Sequence, residues 1–256
     1  MSGIFVLLSM TLIKTQALLL KKINFQDSST IIHFYTREHG KISIIAKGSR
    51  QIKSQFRGYL EPLNFLNIIY YYKPTREIQT LSKVDMLQNF VSNLNDIRAN
   101  YISLAILELI DKLVHHNEEN QRLFDMTINT LKYIDQNPNM SDLGLILFLL
   151  GAIKTLGYRI DLNNCHFCGA DLNRFFFDEK NPQPVCYNCS SKYFDEISAD
   201  QLVWLKYIDN IDLLNPLKPI KSVEKSSIIV DFLLFYAGIY FDFYPKLNSL
   251  EMLKYL

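Results

Sequence analysis

The chain has 256 residues, of which 48% are hydrophobic and 21% charged, and this balance excludes a disordered protein. Its net charge of +1 hides an uneven distribution: residues 10–84 contain twelve Lys or Arg against four Asp or Glu, and residues 85–256 contain fifteen against twenty-two. The basic N-terminal part therefore predicts a polyanionic partner, while the acidic remainder excludes binding of a polyanion along the whole chain.

Residues 1–9 precede the part of the chain with clear structural patterns. Their apolar run is too short for a membrane span, and they lack the basic leader and the cleavage site of a secretory signal. We interpret them as a poorly ordered extension, or as the result of an alternative start at Met10. Later apolar runs also fall short of a membrane span, so we expect a cytoplasmic protein with no membrane partner.

Residues 10–84 are predicted to form a β-rich domain. Five segments favour branched or aromatic residues, namely 11–23, 30–36, 41–47, 63–73 and 77–84. A long connection, residues 48–62, separates the third segment from the fourth. Five strands in this arrangement favour a small closed barrel of the OB type, with an SH3-like barrel as the main competitor.

From residue 85 onward the hydrophobic period changes to 3.6 residues, which predicts a helical domain over residues 85–256. The predicted helices cover residues 96–116, 121–134, 143–156, a segment around Trp204, and 223–244. Ser141 is placed to cap the third helix and Gly157 to end it, and Ser198 with Gln201 predicts a capping box before Trp204. The predicted fold class is therefore α+β, a barrel followed by a helical domain.

All four cysteines occur as two Cys-x-x-Cys pairs within residues 163–194: Cys165 with Cys168, and Cys186 with Cys189. Two residues between cysteines allow one tight turn to direct both sulfurs at the same ion, and Gly169 supports such a turn. We predict one structural Zn²⁺ in a closed four-cysteine site within a zinc-ribbon insertion. Two disulfides or a redox Cys-x-x-Cys are the alternatives.

A second notable segment is rich in cations and runs from residue 37 to residue 57, where Glu38 is the only acid. The cations are Arg37, Lys41, Lys47, Arg50, Lys53 and Arg57. A flexible basic loop after a strand can follow a phosphate backbone through Lys, Arg, Ser hydroxyls and main-chain N–H groups. A solvated surface is the alternative for a basic run alone.

Aromatic residues of the same domain can supply base stacking. The candidates are Phe34, Tyr35, Phe56, Tyr59, Tyr70, Tyr71 and Tyr72. Because alternate residues of a strand point inward, we expect most of these rings to lie in the core.

Signatures of catalysis are weak in this sequence. The phosphate-binding loop of nucleotide hydrolases and the glycine motif of dinucleotide-binding enzymes do not occur. The run His116-Asn117-Glu118 matches the His-x-Glu of zinc deaminases, but Asn164 replaces the expected proline, and the second cysteine pair has no place in that site. We therefore predict that the chain is not an enzyme.

The order of these features resembles the RecO family of bacterial DNA repair proteins. The matching stretches are Phe-Tyr-Thr-Arg-Glu-His-Gly-Lys-Ile at residues 34–42, Ala-Lys-Gly-Ser-Arg at 46–50 with Ser54, Leu-Glu-Pro-Leu-Asn at 60–64, Leu-Gly-Tyr at 156–158 leading into the first cysteine pair, and Leu-Asn-Ser-Leu at 247–250. Together they span nearly the whole chain from Met10.

The resemblance implies an N-terminal OB domain and a helical C-terminal domain that carries the zinc ribbon. It implies a recombination mediator that binds single- and double-stranded DNA, anneals complementary strands, and helps RecA load onto DNA coated with single-strand binding protein. RecR is the expected partner, and a nucleoid-associated location follows. Carried over by position, the resemblance gives four DNA-contact candidates: Lys47, Arg50, Lys53 and Arg57. Arg37 and Lys41 are the second choice.

The resemblance also implies that the helical domain receives the acidic and apolar tail of the single-strand binding protein. Such a peptide needs a hydrophobic groove with a basic rim, for which Arg122, Lys132 and Lys154 are candidates. Two competing functions remain. The first is a zinc-ribbon adaptor that binds proteins without direct DNA binding, and the second is a DNA-binding nuclease.

Overall fold

The computed structural model describes residues 10–90, 96–191, 194–212, 214 and 226–255. The chain divides into two compact units, one made of Met1–Asn93 with Leu107–Phe124 and the other of Leu94–Ile106 with Asp125–Leu256. The predicted N-terminal extension, residues 1–9, lies outside the described residues.

Five strands of the first unit close into a barrel in the order β1-β2-β3-β5-β4. They are β1 Thr11–Phe25, β2 Ser29–Thr36, β3 Gly40–Ala46, β4 Asn64–Tyr72 and β5 Ile78–Asn89. Neighbouring strands are antiparallel, except that β3 and β5 pair in parallel between Ser43–Ile45 and Ile78–Thr80. This topology is OB-like, so the predicted barrel and the α+β fold class are confirmed.

The barrel core follows the two-residue period of its strands. In β3 every second residue is buried, and Ile42 and Ile44 point into the same cluster as Ile32 and Phe34 of β2. Strand β5 continues five residues beyond the predicted end at Val84, because β4 pairs with it as far as Asn89 through two irregularities in register. Residues 85–89, Asp-Met-Leu-Gln-Asn, show no alternation of apolar and polar residues from which this extension could be predicted.

The outer face of β2 and β3 is covered by Leu107–Phe124, which belong to the same unit. Tyr35 is fully buried there, with its ring centroid 5.2 Å from that of Phe124 and its hydroxyl donating to the carbonyl of Asn120 at 3.3 Å. A single parallel bridge joins Lys41 to His116. OB barrels commonly bind oligonucleotides on the face of strands 2 and 3, and this segment occupies part of that face.

Glycine at position 40 is required by this covering segment. Gly40 has a φ of +61°, and a Cβ atom at this position would lie 2.1 Å from the carbonyl oxygen of Glu118. The amide of Asn117 donates to the carbonyl of Lys41 at 3.0 Å, which holds the segment against β3. Any larger residue at position 40 would push the covering segment away from the strand.

The helices are α1 Ile97–Leu113, α2 Gln121–Gln136, α3 Ser141–Thr155, α4 Ala199–Ile208, α5 Ser226–Tyr240 and α6 Asn248–Met252. The start of the last predicted long helix, residues 223–225, lies outside the described residues. No helix among the described residues is long and apolar enough to cross a membrane.

Two of the three predicted helix ends are confirmed. Gly157 has a φ of +94°, and the amides of Gly157 and Tyr158 donate to the carbonyls of Lys154 and Ile153, which satisfies the last carbonyls of α3. Ser198 and Gln201 form the capping box of α4. The prediction that Ser141 caps α3 is wrong, since Ser141 is already helical and follows the 3₁₀ turn Pro138–Met140 without a break.

Candidate functional site

The connection between β3 and β4 carries the exposed cations of the first unit. We call residues 47–58 the basic loop. Lys47, Arg50, Lys53 and Arg57 are all exposed, and the loop contains no acidic residue. The structure therefore brings together four of the six predicted DNA-contact residues on one loop.

Regular turns shape the basic loop. The amides of Gln51, Ser54 and Arg57 donate to the carbonyls three residues earlier, at 3.1, 3.0 and 3.3 Å. At the C-terminal side, Phe56 is only 4% exposed and belongs to the barrel core. The exposed cations thus project from a segment that is fixed to the barrel at both ends.

Arg50 fixes the N-terminal side of the basic loop. Its amide donates to the carbonyl of Ser28 at 2.9 Å, and its guanidinium donates to the carbonyls of Gln26 and Asp27 in the turn between β1 and β2. Ser49 donates to the hydroxyl of Thr30 at 2.8 Å. These partners are neutral carbonyls, so no negative charge offsets the guanidinium of Arg50. Arg50 nevertheless has a structural role that Lys47 and Lys53 do not share.

Arg37 and Lys41 lie away from the basic loop. They lie near the turn of the β2–β3 hairpin, whereas Lys47 follows the other end of β3, about 20 Å along the strand. Arg37 is 3.6 Å from Glu38. The Lys41 side chain is 12% exposed, and its ammonium donates to the carbonyl and the carboxylate of Asp111 at 2.7 and 3.0 Å.

Two exposed lysines of β1 were not predicted from the sequence as DNA-contact residues. Lys21 and Lys22 are adjacent to an irregularity in the β1–β2 pairing, and both are exposed. Lys22 contacts the carbonyl of Leu60 at 3.3 Å and the carboxylate of Glu61, just beyond the basic loop. A strand position with a polar residue carries no sequence signal of its own, so only the fold could reveal this proximity.

Most of the aromatic candidates for base stacking are core residues, as expected. Phe34, Tyr35, Phe56 and Tyr70 are at most 4% exposed, and Tyr59 packs partly buried against the barrel core. Tyr71 and Tyr72 are 38% and 37% exposed, but they pair with Leu12 and Thr11 at the start of β1. That end of β1 is the one remote from the turn that Arg50 contacts.

The second unit contains the cysteine cluster. The Sγ atoms of Cys165, Cys168, Cys186 and Cys189 all lie within 4.8 Å of one another, and no disulfide joins them. Four sulfurs that each lie 2.3 Å from a tetrahedral metal are about 3.8 Å apart. The Sγ atoms of Cys168 and Cys186 are 3.7 Å apart, so the donor set fits a metal ion of this kind.

Both cysteine pairs are formed by tight turns. Gly169 has a φ of +72° and donates from its amide to the carbonyl of Cys165 at 2.9 Å, as predicted for the first turn. The amide of Cys189 donates to the carbonyl of Cys186 at 3.1 Å in the second turn. His166 is exposed and is not part of the ligand group.

Two thiols of the cluster have pKa values that differ from that of an ordinary cysteine. Burial raises the pKa of Cys165, but main-chain N–H groups of Cys168, Cys186 and Phe167 donate to its sulfur and bring the pKa down to about 6. Hydrogen bonds with the thiols of Cys168 and Cys186 raise the pKa of Cys189 to about 12. Four thiolates cannot coexist at this spacing without a positive ion, which is the condition that a bound divalent metal meets.

Other acidic and histidine residues form no comparable group in the part of the chain that the structure describes. The His116-Asn117-Glu118 run follows α1 and belongs to the segment that contacts β3.

Two family models match the chain. The model described as "Recombination protein O N terminal" matches residues 10–90, and the model described as "Recombination protein O C terminal" matches residues 94–241. These matches cover both the barrel and the cysteine cluster.

Proteins named "DNA repair protein RecO" are similar to the chain over most of its length. The one from Bacillus pumilus is 24% identical over 253 residues, which cover 96% of this chain and 97% of the relative. The one from Thermodesulfovibrio yellowstonii is 32% identical over 190 residues, 72% of this chain and 73% of the relative. With the OB-like barrel and the helical region in the order of the two family models, the chain belongs to the RecO family of DNA repair proteins.

Proposed function

We propose that the chain is a recombination mediator that binds single- and double-stranded DNA, anneals complementary strands, and helps RecA load onto DNA coated with single-strand binding protein. The observation that supports DNA binding most strongly is the basic loop, with four exposed cations, no acid, and both ends fixed to the barrel. In this proposal residues 10–84 form the DNA-binding domain, and residues 85–256 form a helical domain with RecR among its partners. The expected location is the cytoplasm, at the nucleoid.

The proposed mechanism is electrostatic. Lysine and arginine side chains neutralise phosphates and release counterions, which gives affinity without sequence preference. Two strands held on one positively charged surface repel each other less, so their bases can meet and pair. The protein makes and breaks no covalent bond in this scheme, in keeping with a non-enzymatic role.

The salt dependence of DNA binding tests this mechanism. Each phosphate contact to a single strand contributes a slope of about 0.7 in the logarithm of the affinity against the logarithm of the salt concentration. We expect the Lys47→Gln, Lys53→Gln double variant to bind a single strand more weakly than the wild type, with a slope smaller by about 1.4. These lysines are preferable to Arg50, whose guanidinium also braces the loop.

Lys14 provides the control for that experiment. It is exposed on β1, at the end of the strand remote from the turn that Arg50 contacts. Lys14→Gln should leave both affinity and slope unchanged. A double variant with the slope of the wild type would place the phosphate contacts elsewhere.

We propose that the metal is one structural zinc ion held by the four cysteines. Their sulfur spacing suits the Zn–S distance, and soft thiolate ligands favour zinc among the common divalent ions. When bound, zinc supplies a covalent-like cross-link between the two turns and takes no part in a reaction.

For the acidic and apolar tail of the single-strand binding protein, we propose a small cleft of the second unit. It has a volume of about 140 Å³ and is lined by Met140, Leu143, Ile146 and Trp204, with polar groups at its edge. This volume accommodates one apolar side chain. Of the rim residues predicted from the sequence, Lys154 is already paired with Asp209 at 2.8 Å. Arg98 was not among those predictions; it donates to Asp142, which lines the cleft, at 2.8 Å.

Tryptophan fluorescence tests the cleft directly, because Trp204 is the only tryptophan of the chain. A synthetic tail peptide with its apolar end should shift the Trp204 emission as the side chain displaces water. The same peptide without its terminal apolar residue serves as the control. If both peptides bind and neither changes the emission, the tail occupies a different surface.

A further inference from the structure

The apolar side chain of Ile52 is exposed to solvent. With 85% of its surface accessible, it is the most exposed of the large hydrophobic side chains in the described part of the chain. It lies at the tip of the basic loop, between the exposed cations Arg50 and Lys53. A single exposed apolar side chain is common in folded proteins, so the position of Ile52 among cations, and not its exposure alone, is what suggests a ligand.

The exposure of Ile52 does not come from a loose chain end. The amide of Ser54 donates to the carbonyl of Gln51 at 3.0 Å, and Nη1 of Arg57 donates to the carbonyl of Ile52 itself at 3.4 Å. Arg50 and the buried Phe56 fix the two sides of the loop. The fold therefore holds the Ile52 side chain outward while the neighbouring main chain is engaged.

The surroundings of Ile52 select the kind of ligand. Its exposed charged neighbours within the loop, Lys47, Arg50, Lys53 and Arg57, are all cationic and attract phosphates. The group next to the phosphates of an unpaired nucleic-acid strand is the flat apolar face of a base. In duplex DNA, apolar side chains that include isoleucine insert between base steps and contact base faces, which shows that such a contact is favourable.

Resting on the proposed DNA binding, we propose that Ile52 packs against the face of an unpaired base in a single strand whose phosphates are held by the basic loop. Such a contact is tolerant of sequence, because every base has an apolar face. It leaves the hydrogen-bonding edges of the bases open. A strand held by its phosphates and one base face can therefore still pair with a complementary strand.

An oligonucleotide without bases separates this contact from phosphate binding. We compare a thymidine oligonucleotide with an abasic strand of the same length, which carries the same phosphates. The wild type should bind the intact strand about fivefold more tightly than the abasic one, the low end of the effect of one base-stacking contact. Ile52→Ser should lose most of this preference by weakening only the binding of the intact strand.

Salt dependence and a matched variant complete the experiment. Because Ile52 carries no charge, Ile52→Ser should keep the salt slope of the wild type, unlike the lysine variants. Leu12→Ser removes another exposed apolar side chain, 57% accessible, at the remote end of β1, and should bind both strands as the wild type does. Ile52→Phe keeps an apolar side chain at this position and should retain the preference for the intact strand. This result would show that a substitution at position 52 does not by itself cause a folding defect.

The outcomes distinguish this proposal from the general one. A wild type that binds intact and abasic strands equally overturns the base contact but leaves phosphate binding in place. The base contact is also overturned if Ile52→Ser weakens binding to both strands by the same factor, since Ile52 then acts through the loop conformation. A wild type that binds neither strand overturns the proposed DNA binding and the base contact together.

Discussion

His33 lies half-buried on the outer face of β2, with its Nδ1 atom 3.0 Å from the hydroxyl of Ser43. Burial lowers the pKa of His33 below its ordinary value of 6.5. The charged groups that face it are Asp111, which raises the pKa, and His116, Lys21 and Lys41, which lower it. The imidazole therefore binds a proton less readily in the folded chain than in the unfolded chain.

This difference predicts a pH dependence of stability. The unfolded chain begins to take up the His33 proton as the pH falls below about 6.5, before the folded chain does, so the free energy of unfolding decreases in that range. His33→Asn should show a smaller decrease between neutral and mildly acidic pH, measured by urea unfolding. The control is His166→Asn, since His166 is an exposed residue of the second unit. An equal pH dependence of the free energy of unfolding in the wild type and in His33→Asn would contradict this account.

Lys41 and Lys47 show why single residues are difficult to assign from sequence. Both are lysines of the same basic segment, but Lys41 donates to Asp111, seventy positions away, while Lys47 stays exposed. Charge patterns over a short window identify the segment. They cannot show which cation finds an acidic partner far along the chain.

At the scale of elements, the region of the cysteine cluster has little secondary structure of its own. Its strands β6 Phe175–Phe177 and β7 Asp195–Ile197 are three residues each. Phe175 and Phe177 are fully buried and pack on Phe232 of α5. Their ring centroids lie 4.9 and 5.0 Å, respectively, from that of Phe232. The second cysteine turn contacts this hairpin through Tyr187, whose ring centroid is 5.9 Å from that of Phe176. A metal bound by all four cysteines is expected to hold the two turns together.

Metal content and stability test that expectation. The purified protein should contain about one equivalent of zinc, and Cys168→Ser should lose it and melt at a lower temperature. His166→Ala is the matched control, since this residue lies between two cysteines of the same turn but outside the ligand group. Full thermal stability after removal of the metal by a chelator would count against a structural site.

Local signals predicted these elements well. The enrichment of branched and aromatic residues identified all five strands of the barrel. Ser198 with Gln201 correctly predicted one helix start, and Gly157 one helix end. Ser141 failed as a cap because the preceding turn at Pro138 already has helical geometry, so α3 needs no side chain to begin it. Such continuity depends on backbone angles that residue preferences alone do not determine.

At the scale of the whole molecule, the sequence indicated which residues are buried but not what covers them. The outer face of β2 and β3 reads as a typical half-polar strand surface, and nothing in the sequence shows that Leu107–Phe124 occupy it. Likewise, the contact between Arg50 and the β1–β2 turn joins residues more than twenty positions apart. Both contacts bear on the proposed site, because the first occupies part of the β2–β3 face and the second braces the basic loop.

Annealing of complementary labelled oligonucleotides, with and without single-strand binding protein, tests the central claim most directly. The wild type and the Lys14→Gln control should accelerate annealing, and the Lys47→Gln, Lys53→Gln variant should do so much less, because two exposed phosphate contacts are lost. The account is contradicted if the wild type does not accelerate annealing, while the wild type and the double lysine variant both bind single-strand binding protein. The chain would then act as a protein adaptor, and the basic loop would be an ordinary solvated surface.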